Sequence, residues 1–235
     1  MIKISKRAGL RITVFWAVSV ICAGFFVENL YAQSGLFDSP VTPTSANNAK
    51  FKAVCALISA KSVVKGNFSL TKTVLAKNEK RELVSSGTFL ISAELGMVWN
   101  TELPVKSGVI AGKDFMILVA PNGKRNVVDS NGNKTFVSIA DALSAIFTGK
   151  TENLSANFTV FFLETGGIWT IGLEPKDAAL KKMIARILIS GASGSGAIQK
   201  LILDSASGGS DAYALSSHSF LGELTVEERA FFNKN

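Results

Sequence analysis

Side chains able to do covalent or metal chemistry are scarce in this sequence of 235 residues, which has one histidine, His218, and two cysteines, Cys22 and Cys55. Catalysis by a Ser–His or Cys–His pair would have to use His218, and a zinc site built mainly from His and Cys lacks the ligands. The run Gly191-Ala192-Ser193-Gly194-Ser195-Gly196 has the glycine content of a phosphate-binding loop. Ala197 and Ile198, however, stand where such a loop needs Lys and Ser or Thr, so the run reads as a flexible connection between two strands. Glu94, Glu102, Asp114, Asp129, Glu164 and Asp204 fall near the ends of predicted strands, where carboxylates are commonly solvated. With no nucleophile–base set and no metal or cofactor motif, the chain reads as a non-enzyme without a cofactor.

What is abundant is apolar surface. Hydrophobic residues make up 47% of the chain, and 16 Phe stand against 2 Tyr. Phe has no polar handle to offer water, so many Phe in a β-rich chain imply either a thick core or an apolar cavity. Cys55 shares a helical stripe with Phe51, Val54 and Ile58, at i, i+3, i+4 and i+7, and reads as a core residue rather than a nucleophile.

The first 32 residues have the order of a secretory signal. Lys3, Lys6, Arg7 and Arg11 precede an apolar run of 16 residues, Ile12 to Val27, and a short polar stretch ends at Leu30-Tyr31-Ala32. A cut after Ala32 would release an exported mature chain. The run is short of the roughly 20 residues of a membrane span, although an uncut N-terminal anchor is the other reading. Bulky Ile21 before Cys22 argues against lipid modification of that cysteine. Once the signal is removed only Cys55 remains, which leaves no internal disulfide. Residues 1–32 also carry +3 of the formal net charge of +7. The remaining cations are scattered and not interleaved with aromatics, unlike a nucleic-acid stripe; no nucleic-acid partner is expected, and the chain is expected to be a monomer.

Residues 33–47, with Pro40, Pro43, Ser and Thr, read as a flexible linker. Residues 48–235 read as a single domain. A helix over about 46–62 comes first, and from Val64 the period changes to two. Strands follow, with turns at Lys77-Asn78-Glu79-Lys80, Pro121-Asn122-Gly123 and Asn131-Gly132. Ser138 can cap a second, amphipathic helix whose stripe is Ile139, Leu143, Ile146 and Phe147, with Gly149 closing it. Strands resume over 157–164 and 168–174, then after a helical turn at 178–182 over 183–190, 197–204 and 211–217. Thr225 and Glu228 form a capping box for a last short helix. Strands in hairpin order, interrupted by one amphipathic helix, predict a mainly β fold: an incomplete antiparallel barrel of about 9–11 strands with helices covering its mouth.

Val64-Lys65-Gly66-Asn67-Phe68-Ser69-Leu70-Thr71-Lys72 after a helix, then Ser86-Gly87-Thr88-Phe89-Leu90, Gly96-Met97-Val98-Trp99 and Pro104, together with Trp169-Thr170-Ile171-Gly172-Leu173-Glu174-Pro175-Lys176, resemble in order and spacing the periplasmic lipoprotein carriers of the LolA type. The resemblance spans about residues 48–218. It implies a half-open barrel that shields lipoprotein acyl chains between an inner-membrane donor complex and an outer-membrane acceptor. One departure stands out. Members of that family carry an Arg shortly before the Trp, which holds the lid by hydrogen bonds to helix backbone, but here that position is Ala93, beside Glu94.

Residues and resemblance together predict a carrier of lipoprotein acyl chains or another lipid. The expected cavity lining is Phe89, Ile91, Met97, Trp99, Phe115, Ile117, Leu143, Ile146, Phe147, Phe158 and Trp169. Alternation requires that if Phe89 points inward, Leu90 does not. The other reading of the same fold is an envelope lipid sensor or protein-interaction module.

Overall fold

Period-two stretches of this chain pair in sequence order, because short connections join them into hairpins. The computed structural model describes residues 35–76, 79–112, 115–129, 134–148, 151 and 154–234. The predicted signal with its cut after Ala32, Cys22, Lys77-Asn78, Asn131-Gly132 and Gly149 lie outside the described residues. Residues 35–235 form one compact unit.

Helix α1 (Asn48–Ser59) leads into the long strands β1 (Val63–Ala76) and β2 (Glu79–Ser92), then β3 (Gly96–Leu103) and the short β4 (Ser107–Ala111), β5 (Phe115–Val119) and β6 (Arg125–Asp129). Helices α2 (Lys134–Thr148) and α3 (Leu154–Asn157) interrupt the sheet before β7 (Phe158–Thr165) and β8 (Ile168–Pro175). After α4 (Ala178–Lys181) come β9 (Ile184–Ala192), β10 (Lys200–Ser205) and β11 (Ser210–Leu221), and α5 (Val226–Ala230) ends the order. The predicted capping box is complete, with the Thr225 hydroxyl accepting from the Glu228 amide and the Glu228 carboxylate accepting from the Thr225 amide.

The eleven strands form one antiparallel sheet in the order β6-β5-β4-β3-β2-β1-β11-β10-β9-β8-β7. The ends of that order, β6 and β7, do not pair with each other, so the barrel is incomplete as expected. Its inner face carries the largest cluster of buried apolar residues, and α1 and α2 lie against it. None of the described helices is long and apolar enough to cross a membrane.

Three local expectations are corrected. Helix α2 begins at Lys134, so Ser138 sits within it rather than at its cap. The loop over 191–196 is held in place, since the Trp169 indole donates to the Ser195 carbonyl at 3.0 Å and a Cβ at Gly196 would lie 2.2 Å from the Leu57 carbonyl oxygen of α1. Residues 35–47 are not a free tether either. Leu36 is 1% exposed and packs with Phe161 and Leu188 on the outer face, and Phe37 meets Phe161 edge-on at 5.0 Å. Pro40 then bridges to Phe161 and the Val41 amide donates to the Val160 carbonyl at 2.7 Å. Pro and Ser in the segment hide this, because Leu36 and Phe37 are too few to show a period.

The segment over 35–41 thus runs along the outer side of β7 and covers an edge whose backbone groups would otherwise invite another strand. Leu36→Ala is expected to lower stability by about 2–4 kcal/mol, read by denaturant unfolding, whereas a free tether would leave the midpoint unchanged.

Candidate functional site

Alternation on the four central strands places aromatic rings on the inner face. Phe68 of β1, Phe89 of β2, Trp99 of β3 and Tyr213 of β11 form one patch, with ring centroids 5.1–5.9 Å apart for Phe68–Trp99, Phe68–Tyr213, Phe89–Trp99 and Trp99–Tyr213. Gly66 makes the patch possible: a Cβ there would lie 2.8 Å from the Phe89 ring and 2.5 Å from the Ser216 carbonyl oxygen. His218 extends the patch edge-on to Phe89 at 5.7 Å, with its Nε2 2.8 Å from the Ile198 carbonyl oxygen. A backbone carbonyl and an aromatic edge, with no acid–base partner beside them, hold this imidazole as a packing group.

Ala142, Leu143, Ala145, Ile146 and Phe147 of α2 lie buried over this floor, next to Phe51, Val54, Cys55 and Ile58 of α1. Roof and floor are in contact. The space left between Ile91, Trp99, Leu143, Phe147, Ile189, Ile198, Leu201 and Leu215 is about 10 Å³, roughly the room for a single water. Where Ile139 of α2 meets the ends of β1, β9, β10 and β11, a groove of about 570 Å³ opens, within the roughly 300–1,000 Å³ of ordinary ligand pockets. Leu75, Met183, Ile184 and Leu203 contribute its apolar walls, and Lys72 and Asp211 pair across it at 2.9 Å.

Nine of the eleven predicted lining residues belong to this arrangement: Phe89, Ile91, Met97, Phe158 and Trp169 of the sheet with Leu143, Ile146 and Phe147 of α2 are buried in the inner cluster, and Trp99 packs against it. Leu90 faces the other way, as alternation demanded. Phe115 and Ile117 are the correction. Registers Leu90↔Val98, Val98↔Ile110 and Ile110↔Ile117 run across β2–β5 on the outer face, while Ile91↔Met97, Met97↔Ala111 and Ala111↔Met116 run across the inner one. Ile117 is therefore in the outer cluster, with Phe115 packed against it, under Leu224 and Phe232 of the C-terminal segment. Phe68 and Tyr213 were missed, although period two from Val64 onward puts Phe68 on one face with Leu70 and so could have found the first of them.

No Arg stands beside Ala93 in the sequence. Glu94 instead meets Arg229 of α5 at 3.3 Å, and the Ala93 amide donates to the Ser62 carbonyl at 3.0 Å. Among the described residues no cluster of His, Cys, Asp and Glu could hold a metal.

No family model matches the chain, and a search of curated proteins finds no relative. Solved structures similar to it include a LolA superfamily protein from Nitrosomonas europaea, with 10% identity over 81% of this chain and 99% of that one and a TM-score of 0.46. Another is an outer membrane lipoprotein-sorting protein domain from Vibrio parahaemolyticus, 12% identical over 80% of this chain and 98% of that one, with a TM-score of 0.44. A third is MucB in its complex with MucA from Pseudomonas aeruginosa, 9% identical over 81% of this chain and 62% of that one, with a TM-score of 0.45.

Burial pushes the Cys55 thiol up from 9.0 to about 12. Burial, helped by the nearby Asp211 carboxylate, pushes the Tyr213 hydroxyl from 10.0 to about 12. Folding holds both acids neutral, so their contribution to stability is complete below pH about 9 and is lost as pH climbs toward 12. Thermal unfolding midpoints are expected to stay level up to pH 8.5 and fall above it, less steeply in Tyr213→Phe. A midpoint indifferent to alkali would contradict the packed interior around both groups.

Proposed function

We propose that this chain is an exported, periplasmic carrier that shelters the acyl chains of a lipoprotein, or of another lipid, between the inner face of the sheet and helix α2, in transit toward the outer membrane. The observation that carries the reading is the unpaired gap between β6 and β7. A closed barrel would cover its interior with strands, and uncovering it would break backbone hydrogen bonds. Here side-chain contacts of a helix supply the cover, and α2 can leave without disturbing the sheet.

The magnitudes suit an exchange. Burying Leu143, Ile146 and Phe147 contributes about 1.5–3 kcal/mol for each side chain. An acyl chain gains about 0.8 kcal/mol per buried CH₂, so roughly six to eleven methylenes offset the loss of that helix from the floor. A near-balanced exchange is what loading and release both require, since a ligand shifts an equilibrium only by its differential affinity. With so little space under α2, an acyl chain would have to displace the helix to reach the floor, and the groove beside Ile139 is where a chain end would first enter. The sequence resemblance supplies the expected donor complex at the inner membrane and acceptor at the outer one.

Native mass spectrometry of the chain gently extracted from its own compartment tests this directly. A stoichiometric acyl-lipid or lipoprotein adduct is expected, and Phe147→Asp should lose it while retaining the β-sheet signal in circular dichroism. A consistently empty chain, or one holding a protein partner and no lipid, would replace the carrier with a sensor or interaction module.

A further inference from the structure

Strands β1 and β2 outrun their neighbours. Pairing of β1 with β11 stops at Thr73, and pairing of β2 with β3 starts only at Ser86, whereas β1 and β2 pair with each other out to Ala76 and Glu79. The residues beyond form a two-stranded arm at the end of the sheet that also holds the β3–β4, β5–β6 and β10–β11 connections. The most exposed large apolar side chains of the sheet gather there. Leu75, Leu83 and Val84 on the arm are 52–63% exposed, Leu103 and Val105 beside it 64% and 56%, and Met183 across the groove 54%. At the opposite end of the strands Ile168 and Phe220 reach only 43% and 41%, and the more exposed Val226, at 80%, belongs to α5 rather than to the sheet.

Charge divides along the same line. Lys80, Arg81 and Lys106 stand among the exposed apolar residues of the arm end, with Lys124, Lys181 and Lys182 at neighbouring connections, against Glu79, Glu82, Glu102 and Asp177. Lys80 and Arg81 form only solvent-exposed pairs, with Glu82 at 3.6 Å and Glu79 at 3.4 Å, a kind that holds a side chain weakly. At the opposite end Glu94 pairs with Arg229 at 3.3 Å and Glu164 with Lys50 at 3.9 Å, and Glu223 stands with Lys61, so the cationic excess lies at the arm end. A surface made to enter a bilayer interface combines exposed leucines and valines with cations that only solvent-exposed pairs hold.

We infer that the β1–β2 arm and the adjoining β3–β4 turn are a docking edge for an anionic lipid surface, with Leu83, Val84, Leu103 and Val105 entering the interface and Lys80, Arg81 and Lys106 held at the headgroups. The edge adjoins the groove lined by Leu75, Ile139 and Met183, so docking sets that groove toward the bilayer. In this respect the inference rests on the carrier reading, but contact with the membrane is measured apart from the presence of cargo.

Residues 1–34 contain an apolar run able to partition by itself, so the test must resolve position within the full chain. An environment-sensitive fluorescent amino acid is placed at Val84 in one preparation and at Ile168 in another, and each is mixed with vesicles of phosphatidylcholine alone or with phosphatidylglycerol. A blue shift is expected at position 84 with the anionic vesicles only, and none at 168. Lys80→Glu with Arg81→Glu should weaken it by roughly fivefold for each cation removed, and Leu83→Ser should weaken it without changing the dichroism spectrum. Equal shifts at both positions, or none at position 84, would overturn the docking edge, even for a chain found loaded with lipid; an empty chain that still docks through position 84 would overturn the carrier instead.

Discussion

An antiparallel sheet of eleven strands whose first and last members do not meet leaves an apolar inner face that only helices can cover. Much of the remaining architecture follows from that gap. The amphipathic α2 covers the inner face through Leu143, Ile146 and Phe147, and α1 packs beside it with Phe51, Val54, Cys55 and Ile58. Exposed edges are hazards, and each has its guard. The segment over 35–41 follows β7, and at the other edge Arg125 of β6 donates to the carbonyls of Phe231 and Asn233 at 2.9 and 2.7 Å, tying the chain's end to the strand.

Those two guards explain why the outer face is more apolar than a solvated surface. Under the C-terminal segment lies the ladder Leu90, Val98, Ile110 and Ile117, and under the N-terminal one lie Phe161 and Leu188. Between them the outer residues Asn67, Ser69 and Thr71 of β1 meet water. The flanking strands therefore have two buried faces and the centre has one, which is the pattern of a sheet thickened at both sides by its own termini.

This asymmetry decided what could be read from sequence. In β2 and β3 the large residues Phe89, Ile91, Met97 and Trp99 fall on one face while Thr88 and Asn100 fall on the other, so period two assigned the inward residues and the fold class together. In β5 every residue from Phe115 to Val119 is apolar, and alternation then says that two faces differ without saying which is which. The structure settles it through the register Ile110↔Ile117 and a C-terminal cover, Leu224 and Phe232, more than a hundred residues away. Leu36 was illegible for a related reason: two apolar residues among Gly, Ser and Pro have no period, and their burial depends on Gly172 of β8, where a Cβ would meet the Phe37 ring at 2.9 Å.

The composition of the inner face also limits where selectivity can reside. Its floor is built from Phe, Ile, Leu and Trp, and Tyr213 is its single phenol. Contacts with such a surface scale with area and ignore the identity of the chain that makes them. Discrimination needs polar groups that would be left unpaired by the wrong ligand. Around the groove those groups are Lys72 and Asp211, joined at 2.9 Å, and Asp204, held by Arg186 at 2.7 Å. On the proposed carrier reading, a cargo with an apolar tail and a polar head would be retained by the interior for its length and sorted at the rim for its head, and a change at Lys72 or Asp211 would bear on which lipid enters rather than on how tightly the tail is held.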